Sequence, residues 1–344
     1  MKRFGFASAA TTLILVITAA PAIACGGLIG PRGSVNLLRT TTLAAYSGGI
    51  EHYVTSFQFV GSGGGAFGSL VPLPGIPTKV ERGGDWTLQR LIRETQPQPE
   101  FAALAAGRAR ADAQKSAQVI LETRIDALDI TVLRGGGDEV GVWAKENGFS
   151  LPPDAPEVLD FYASRSPIFM AARFDADAAA ARGQQSGDGT PIHLSIPTDT
   201  PWVPLRILGL GKQANEAVQA DVYLLTDTEP RLLPGTQRGL SVERSEKASD
   251  SLIQDLRTDK GMEWIPSAGM WLSYLKVDSA ASDLTYDLAV SVDGSAPSRI
   301  DAGLGRVQAV VSDPRLPIWT AALVLALFVV GLIAMLKFRP AATA

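Results

Sequence analysis

Ser47-Gly48-Gly49-Ile50-Glu51-His52-Tyr53-Val54-Thr55-Ser56-Phe57-Gln58-Phe59-Val60 is the stretch on which the fold turns. From Ile50 the residues alternate, with Tyr53, Thr55, Phe57 and Phe59 on one face, the period of a half-buried strand. The preceding Ser34 to Ser47 is rich in Val, Leu and Thr, so Gly48-Gly49 joins two strands into a β-hairpin. Beyond the hairpin, Gly61 to Gly65 is a glycine loop. Ala66-Phe67-Gly68-Ser69-Leu70-Val71-Pro72-Leu73-Pro74 then reads as an edge strand, because proline cannot donate to a sheet ladder.

Strands and short helices follow in turn. Asp85 is placed to cap a helix carrying Leu88, Leu91 and Ile92 on one face and stopping at Pro97. Gln96 to Ser116 is Ala-, Gln- and Arg-rich without clear periodicity, a linker or insertion. Val119 to Ile125 and Ile130 to Leu133 predict strands, Asp138 to Asn147 a helix ended by Gly148, and Pro153 to Ser164 a second helix. Strands are expected over Pro167–Phe174, Ile192–Ile196, Val203–Leu208, Ala220–Thr226, Met270–Val277 and Leu284–Val292, and a helix over Ser245–Arg257. Many short strands with a few inserted helices make an α+β, strand-rich domain.

Two segments set the compartment. Lys2 and Arg3, the apolar Leu13 to Ile17, and Ala22-Ile23-Ala24 form a secretory leader, residues 1–24, with Cys25 as the first mature residue. Cys25 is a candidate for lipid attachment or a free thiol; Ala24 suits an acylation site, whereas Ala22 replaces the large aliphatic expected three residues before it. At the other end Ile318 to Leu336 is an uncharged apolar run long enough, at about 28 Å as a helix, to span a bilayer. Trp319 marks its outer edge, and Lys337 and Arg339 follow, which places the tail 337–344 in the cytoplasm. The expected order is leader, extracytoplasmic domain 25–316 and one C-terminal transmembrane helix 318–336.

Composition narrows the chemistry. A formal charge of −4 without a basic block argues against nucleic acid as partner. One Cys and two His, His52 and His193, leave little for a metal centre or an intrachain disulfide. Gly63-Gly64-Gly65-Ala66-Phe67-Gly68 fits G-x-G-x-x-G but runs into Leu-Val-Pro-Leu-Pro instead of the helix that would meet a pyrophosphate. Gly209-Leu210-Gly211-Lys212 reads as a turn. Asp175, Asp177 and Asp188 could offer oxygen ligands to calcium, yet lack the EF-hand spacing. There is no G-x-S-x-G and no H-E-x-x-H. No catalytic, cofactor-binding or metal residue is assigned, and His52 and His193 read as sheet-face or surface histidines.

Several further pieces carry a resemblance: Cys25-Gly26-Gly27, the Ile50 to Val60 strand, Leu70 to Pro74, Trp143-Ala144-Lys145-Glu146-Asn147-Gly148-Phe149, Phe161-Tyr162, Phe169-Met170-Ala171-Ala172, Pro204-Leu205-Arg206 and Asp283-Leu284-Thr285-Tyr286-Asp287-Leu288. In this order, over about residues 25–292, they resemble the bacterial exported family called domain of unknown function 2330. The resemblance implies an exported compartment and a shared architecture; it brings no catalytic residues. Family members often carry a second Cys soon after the first, which this chain lacks, so no disulfide is carried over. Three roles stay open: a non-catalytic envelope protein that binds a protein partner or ligand, an envelope hydrolase, and an accessory subunit of a membrane complex. A pocket joining His52 or His193 to an acid and a Ser would favour the hydrolase.

Overall fold

The computed structural model describes residues 27–30, 33–34, 40–57, 68–95, 118–175, 178, 190–237 and 239–305. The leader 1–24, Cys25, the glycine loop 61–65, the linker 96–116, Asp177, Asp188, the run 318–336 and the tail 337–344 lie outside them. The chain divides into two compact units, Met1–Leu304 and Gly305–Ala344, and the elements below all belong to the first. Among the described residues no helix is long and apolar enough to cross a membrane.

In chain order the strands are β1 (Gly27–Gly30), β2 (Gly33–Ser34), β3 (Thr40–Ser47), β4 (Ile50–Phe57), β5 (Gly68–Leu73), β6 (Lys79–Arg82), β7 (Gln118–Ile125), β8 (Leu128–Arg134), β9 (Ile168–Phe174), β10 (Thr190–Pro197), β11 (Trp202–Val203), β12 (Ala217–Thr226), β13 (Arg231–Leu233), β14 (Leu240–Lys247), β15 (Trp271–Ala280) and β16 (Leu288–Ser291). The helices are α1 (Thr87–Thr95), α2 (Gly137–Glu146), α3 (Ala155–Ala163) and α4 (Asp250–Thr258). The protein is thus strand-rich α+β, as the sequence predicts.

A seven-stranded central sheet runs β14-β15-β12-β3-β4-β10-β6, with β12 and β3 its one parallel pair. A six-stranded outer sheet runs β2-β1-β5-β9-β8-β7, and a small sheet runs β11-β16-β13. The hairpin at Gly48-Gly49 forms as expected, both glycines at positive φ, where a β-carbon would be strained.

Both faces of the central sheet are buried. One face, through Ala44, Tyr53, Leu194, Val222, Leu224 and Leu275, shares a core with the outer and small sheets and with α2 and α3. The opposite face, through Leu43, Ala45, Val54, Tyr223, Leu225 and Leu272, lies under Leu88 and Leu91 of α1 and Leu252, Ile253 and Leu256 of α4. Burial on both faces is why Ala220 to Thr226 reads as an unbroken run, without the polar alternation of a half-exposed strand.

Five local expectations are corrected. The proline-bearing strand β5 is interior, between β1 and β9, yet β1 pairs only as far as Leu70. Among the described residues Pro72 pairs with Phe169 of β9 and lies beyond the β1 ladder. The expected strand Val203–Leu208 stops at Val203 and turns into a 3-10 turn, Arg206–Gly209, because its amides bond to side chains instead of a neighbouring strand. Likewise Leu284–Val292 is strand only over Leu288–Ser291. Ser245 to Lys247 continues strand β14, and the helix begins later, at Asp250, where the Ser249 hydroxyl accepts the Leu252 amide at 3.2 Å. Finally, Asp85 does not cap α1. It pairs with Arg82, and Asp259 at the end of α4 accepts the amides of Asp85, Trp86 and Thr87 at 3.0, 2.9 and 2.8 Å.

Three of the motif pieces meet at one buried point. Asp287 Oδ1 accepts the Tyr162 hydroxyl at 2.8 Å and the amides of Leu205 and Arg206 at 2.7 and 3.0 Å, while Oδ2 pairs with Arg165. The Tyr162 oxygen in turn accepts the Ile207 amide at 2.8 Å. Burial and the neighbouring Asp287 push the Tyr162 hydroxyl well above its usual range, so it stays a donor. The Arg165 guanidinium lies 4.3 Å from the Phe161 ring centre and 4.8 Å from that of Trp202, a cation packed among aromatic faces. Phe161-Tyr162, Pro204-Leu205-Arg206 and Asp283 to Leu288 are therefore framework, and they tie α3 to the small sheet.

Candidate functional site

The two histidines, far apart in sequence, meet on the central sheet. β10 pairs with β4 and with β6, placing Ser195 opposite both His52 and Lys79, and His193 opposite both Val54 and Glu81. Side chains alternate along a strand, so His52, Val54, His193, Ser195, Lys79 and Glu81 share one face. Val54 belongs to the core under α1 and α4, which identifies that face.

Contacts within the cluster are close. His52 Nδ1 lies 2.8 Å from His193 Nε2. His193 Nδ1 lies 3.2 Å from Glu81 Oε1, an ion-pair separation without hydrogen-bond alignment. Glu81 Oε2 is 2.9 Å from Lys79 Nζ. Trp264, from the segment after α4, stacks flat on His52, with ring centres 3.8 Å apart and planes 4° apart, and more loosely on His193.

The arrangement assigns the protons. A carboxylate facing His193 Nδ1 favours the proton there, which leaves Nε2 as acceptor for the His52 Nδ1–H. His52 Nε2 then carries that ring's lone pair. Desolvation lowers both histidines from 6.5 to about 4; for His52 the neighbouring His193 adds to the effect, and Glu81 partly opposes it at each ring. Both rings are neutral at pH 7, and each is a weak base there.

That neutrality has a measurable consequence. A base whose folded-state affinity for protons is depressed stabilises the fold fully above its unfolded value of 6.5 and loses that stabilisation as pH falls toward about 4. The unfolding free energy should drop across pH 6.5 to 4, by on the order of 2–3 kcal/mol from buried His193 and by less from half-buried His52. His193→Gln should flatten this slope in urea titrations at each pH; an unchanged slope would refute the assignment.

Of the other expectations, Asp175 is engaged by Arg124 at 2.6 Å and accepts the Ala178 amide at 3.0 Å, so it serves the framework. Gly209 to Lys212 forms a turn, and the Gly211 amide bonds to Asp154. Gly68, the last glycine of the G-x-G-x-x-G pattern, opens strand β5, with no helix after it. Trp143 and Trp202 are core, whereas Trp86 is partly exposed. Among the described residues no three His, Cys, Asp or Glu side chains are placed to hold a metal ion. Sequence reading missed Lys79 and Glu81, since nothing in their spacing marks them; only strand pairing across 141 residues joins His52 to His193.

Comparison with known proteins places the chain. Baculovirus p35, in its crystal structure and in that of its complex with caspase-8, aligns with 8% identity and a TM-score of 0.37, covering 74% of this chain and 96% of that one. This likeness is too slight to bear on fold or activity. No curated protein matches. The family described as uncharacterized protein conserved in bacteria, domain of unknown function 2330, matches residues 19–290, and the chain belongs to that family.

Proposed function

We propose that this is a single-pass bacterial envelope protein whose domain 25–316 stands outside the cytoplasmic membrane and acts by binding a protein partner. The leader 1–24, the run Ile318 to Leu336 and the basic residues after it support the placement. One observation carries the non-catalytic part: both histidines are stacked under Trp264, bonded to each other and lowered to about 4. A general base works best with an affinity near the operating pH, which these rings do not have.

The test is a mild-detergent pull-down of full-length protein from its native membrane beside a version cut before Pro317. A companion kept by the cut version is the expected result. A companion lost on cutting would make the protein a subunit of a membrane complex, and no enrichment in either would overturn the binding reading. Cys25→Ser in the cut version should leave it unattached to membrane; release only with this change would assign lipid attachment to Cys25.

A hydrolase is the second reading, favoured by Ser195 lying directly across from His52. Neighbours opposed across an antiparallel pair bring their β-carbons to about 5 Å. Labelling by a fluorophosphonate probe that disappears in Ser195→Ala would establish it; no labelling is expected.

A further inference from the structure

Glu51 points to the other face of β4, away from the histidines. Its Oε2 accepts the Trp202 amide at 3.3 Å, and its Oε1 is enclosed without a hydrogen-bond partner among the described residues. The carboxyl lines a cavity of about 10 Å³ whose polar neighbours are Tyr46 and Thr226 and whose walls include Pro201, Trp202 and Val290. Such a space holds one water-sized group.

The oxygens here are acceptors. Tyr46 already donates its hydroxyl hydrogen to the Thr198 carbonyl at 2.9 Å, and Thr226 donates to the Thr228 carbonyl at 2.7 Å. Both keep lone pairs to offer, as does an ionised Glu51. The surrounding field is negative: Asp199 from the β10–β11 connection, Glu51 from β4, Asp293 after β16 and Asp227 after β12 all push the Tyr46 hydroxyl upward, beyond the effect of burial. Three acceptors, acidic surroundings and apolar walls suit a small cation that carries several N–H donors.

We propose that this cavity receives a primary ammonium group, the head of a small amine or of a lysine side chain on a partner. The proposal rests on the binding role given above but stands or falls on its own measurement. Burial raises Glu51 to about 8, so at pH 7 it is mostly protonated. An arriving R–NH3+ pairs with the Glu51 carboxylate while the carboxyl proton passes to solvent, so charge and atoms balance. Affinity should therefore rise with pH and level off above about 8.

The experiment is calorimetric titration of the full chain in detergent at pH 7 with methylammonium chloride, in two buffers of different ionisation heat. Sodium chloride and tetramethylammonium chloride are the controls. Saturable binding of methylammonium alone, with net release of protons, is expected. Glu51→Gln should abolish both binding and release. Tyr46→Phe should weaken binding about tenfold and keep the release. Should Glu51→Gln not fold by circular dichroism, the proton count in wild type and Tyr46→Phe decides. Methylammonium behaving like sodium, or binding that persists in folded Glu51→Gln, would overturn the proposal. A capped Gly-Lys-Gly peptide binding more tightly than methylammonium assigns the site to a lysine side chain; equal or weaker binding assigns it to a free amine.

Discussion

Asp287→Ala should lower the unfolding free energy by about 3–5 kcal/mol, the cost of stranding a buried charge by removing its partner. Asp287 is fully enclosed, and Arg165 beside it is 5% exposed, so water cannot take over the lost contacts. The substitution leaves the guanidinium unpaired and deprives the Leu205 and Arg206 amides and the Tyr162 hydroxyl of their acceptor. Urea unfolding of the folded variant, or its failure to accumulate, reads the effect. A second variant separates charge from packing. Asp287→Leu combined with Arg165→Met removes both charges, and it should recover part of the loss, because an apolar replacement of a whole buried pair is often tolerated. A single Asp287→Ala loss below about 1 kcal/mol would mean that the node is not what ties α3 to the small sheet.

Asp259→Ala should cost about 3 kcal/mol, more than an ordinary helix cap. One side chain accepts three consecutive amides at the start of α1 and also the Thr87 hydroxyl at 2.8 Å. Its neighbour Gly84 has to be glycine, since a β-carbon there would occupy the position of the Asp259 carboxylate. Asp259 is nearly fully buried, so the freed donors meet little solvent. Because α1 and α4 together cover one face of the central sheet, hydrogen exchange should accelerate in Leu88 to Leu91 before the outer sheet responds. Uniform acceleration across both cores would contradict this localisation. Asp259→Asn, which keeps one carbonyl oxygen, should lose roughly half as much.

Local elements were legible where one signal governs them. The Gly48-Gly49 hairpin follows from alternation and turn chemistry, and α2 with Val140, Trp143 and Ala144 inward follows from helical period. Reading failed where a distant side chain supplies what local chemistry appeared to supply. Asp85 has the residue type of a cap, but Asp259 takes that role from 174 residues away. Val203 to Leu208 has strand composition, yet Asp287 and Tyr162 capture its amides and turn it. Pro72 suggested an edge because composition cannot tell how far a neighbouring strand extends.

The sequence alone determined that this chain builds a strand-rich α+β domain, with no basic block, one Cys and two His. Those properties depend on composition and short-range period, which are local. Only the tertiary structure decided that the neutral His52 and His193 stack with Trp264 beside Glu81 and that Glu51 closes a cavity on the opposite face. Strand order sets which residues become neighbours, and burial then sets which of them hold a proton. Both come from contacts between segments far apart in the chain, where residue spacing carries no information.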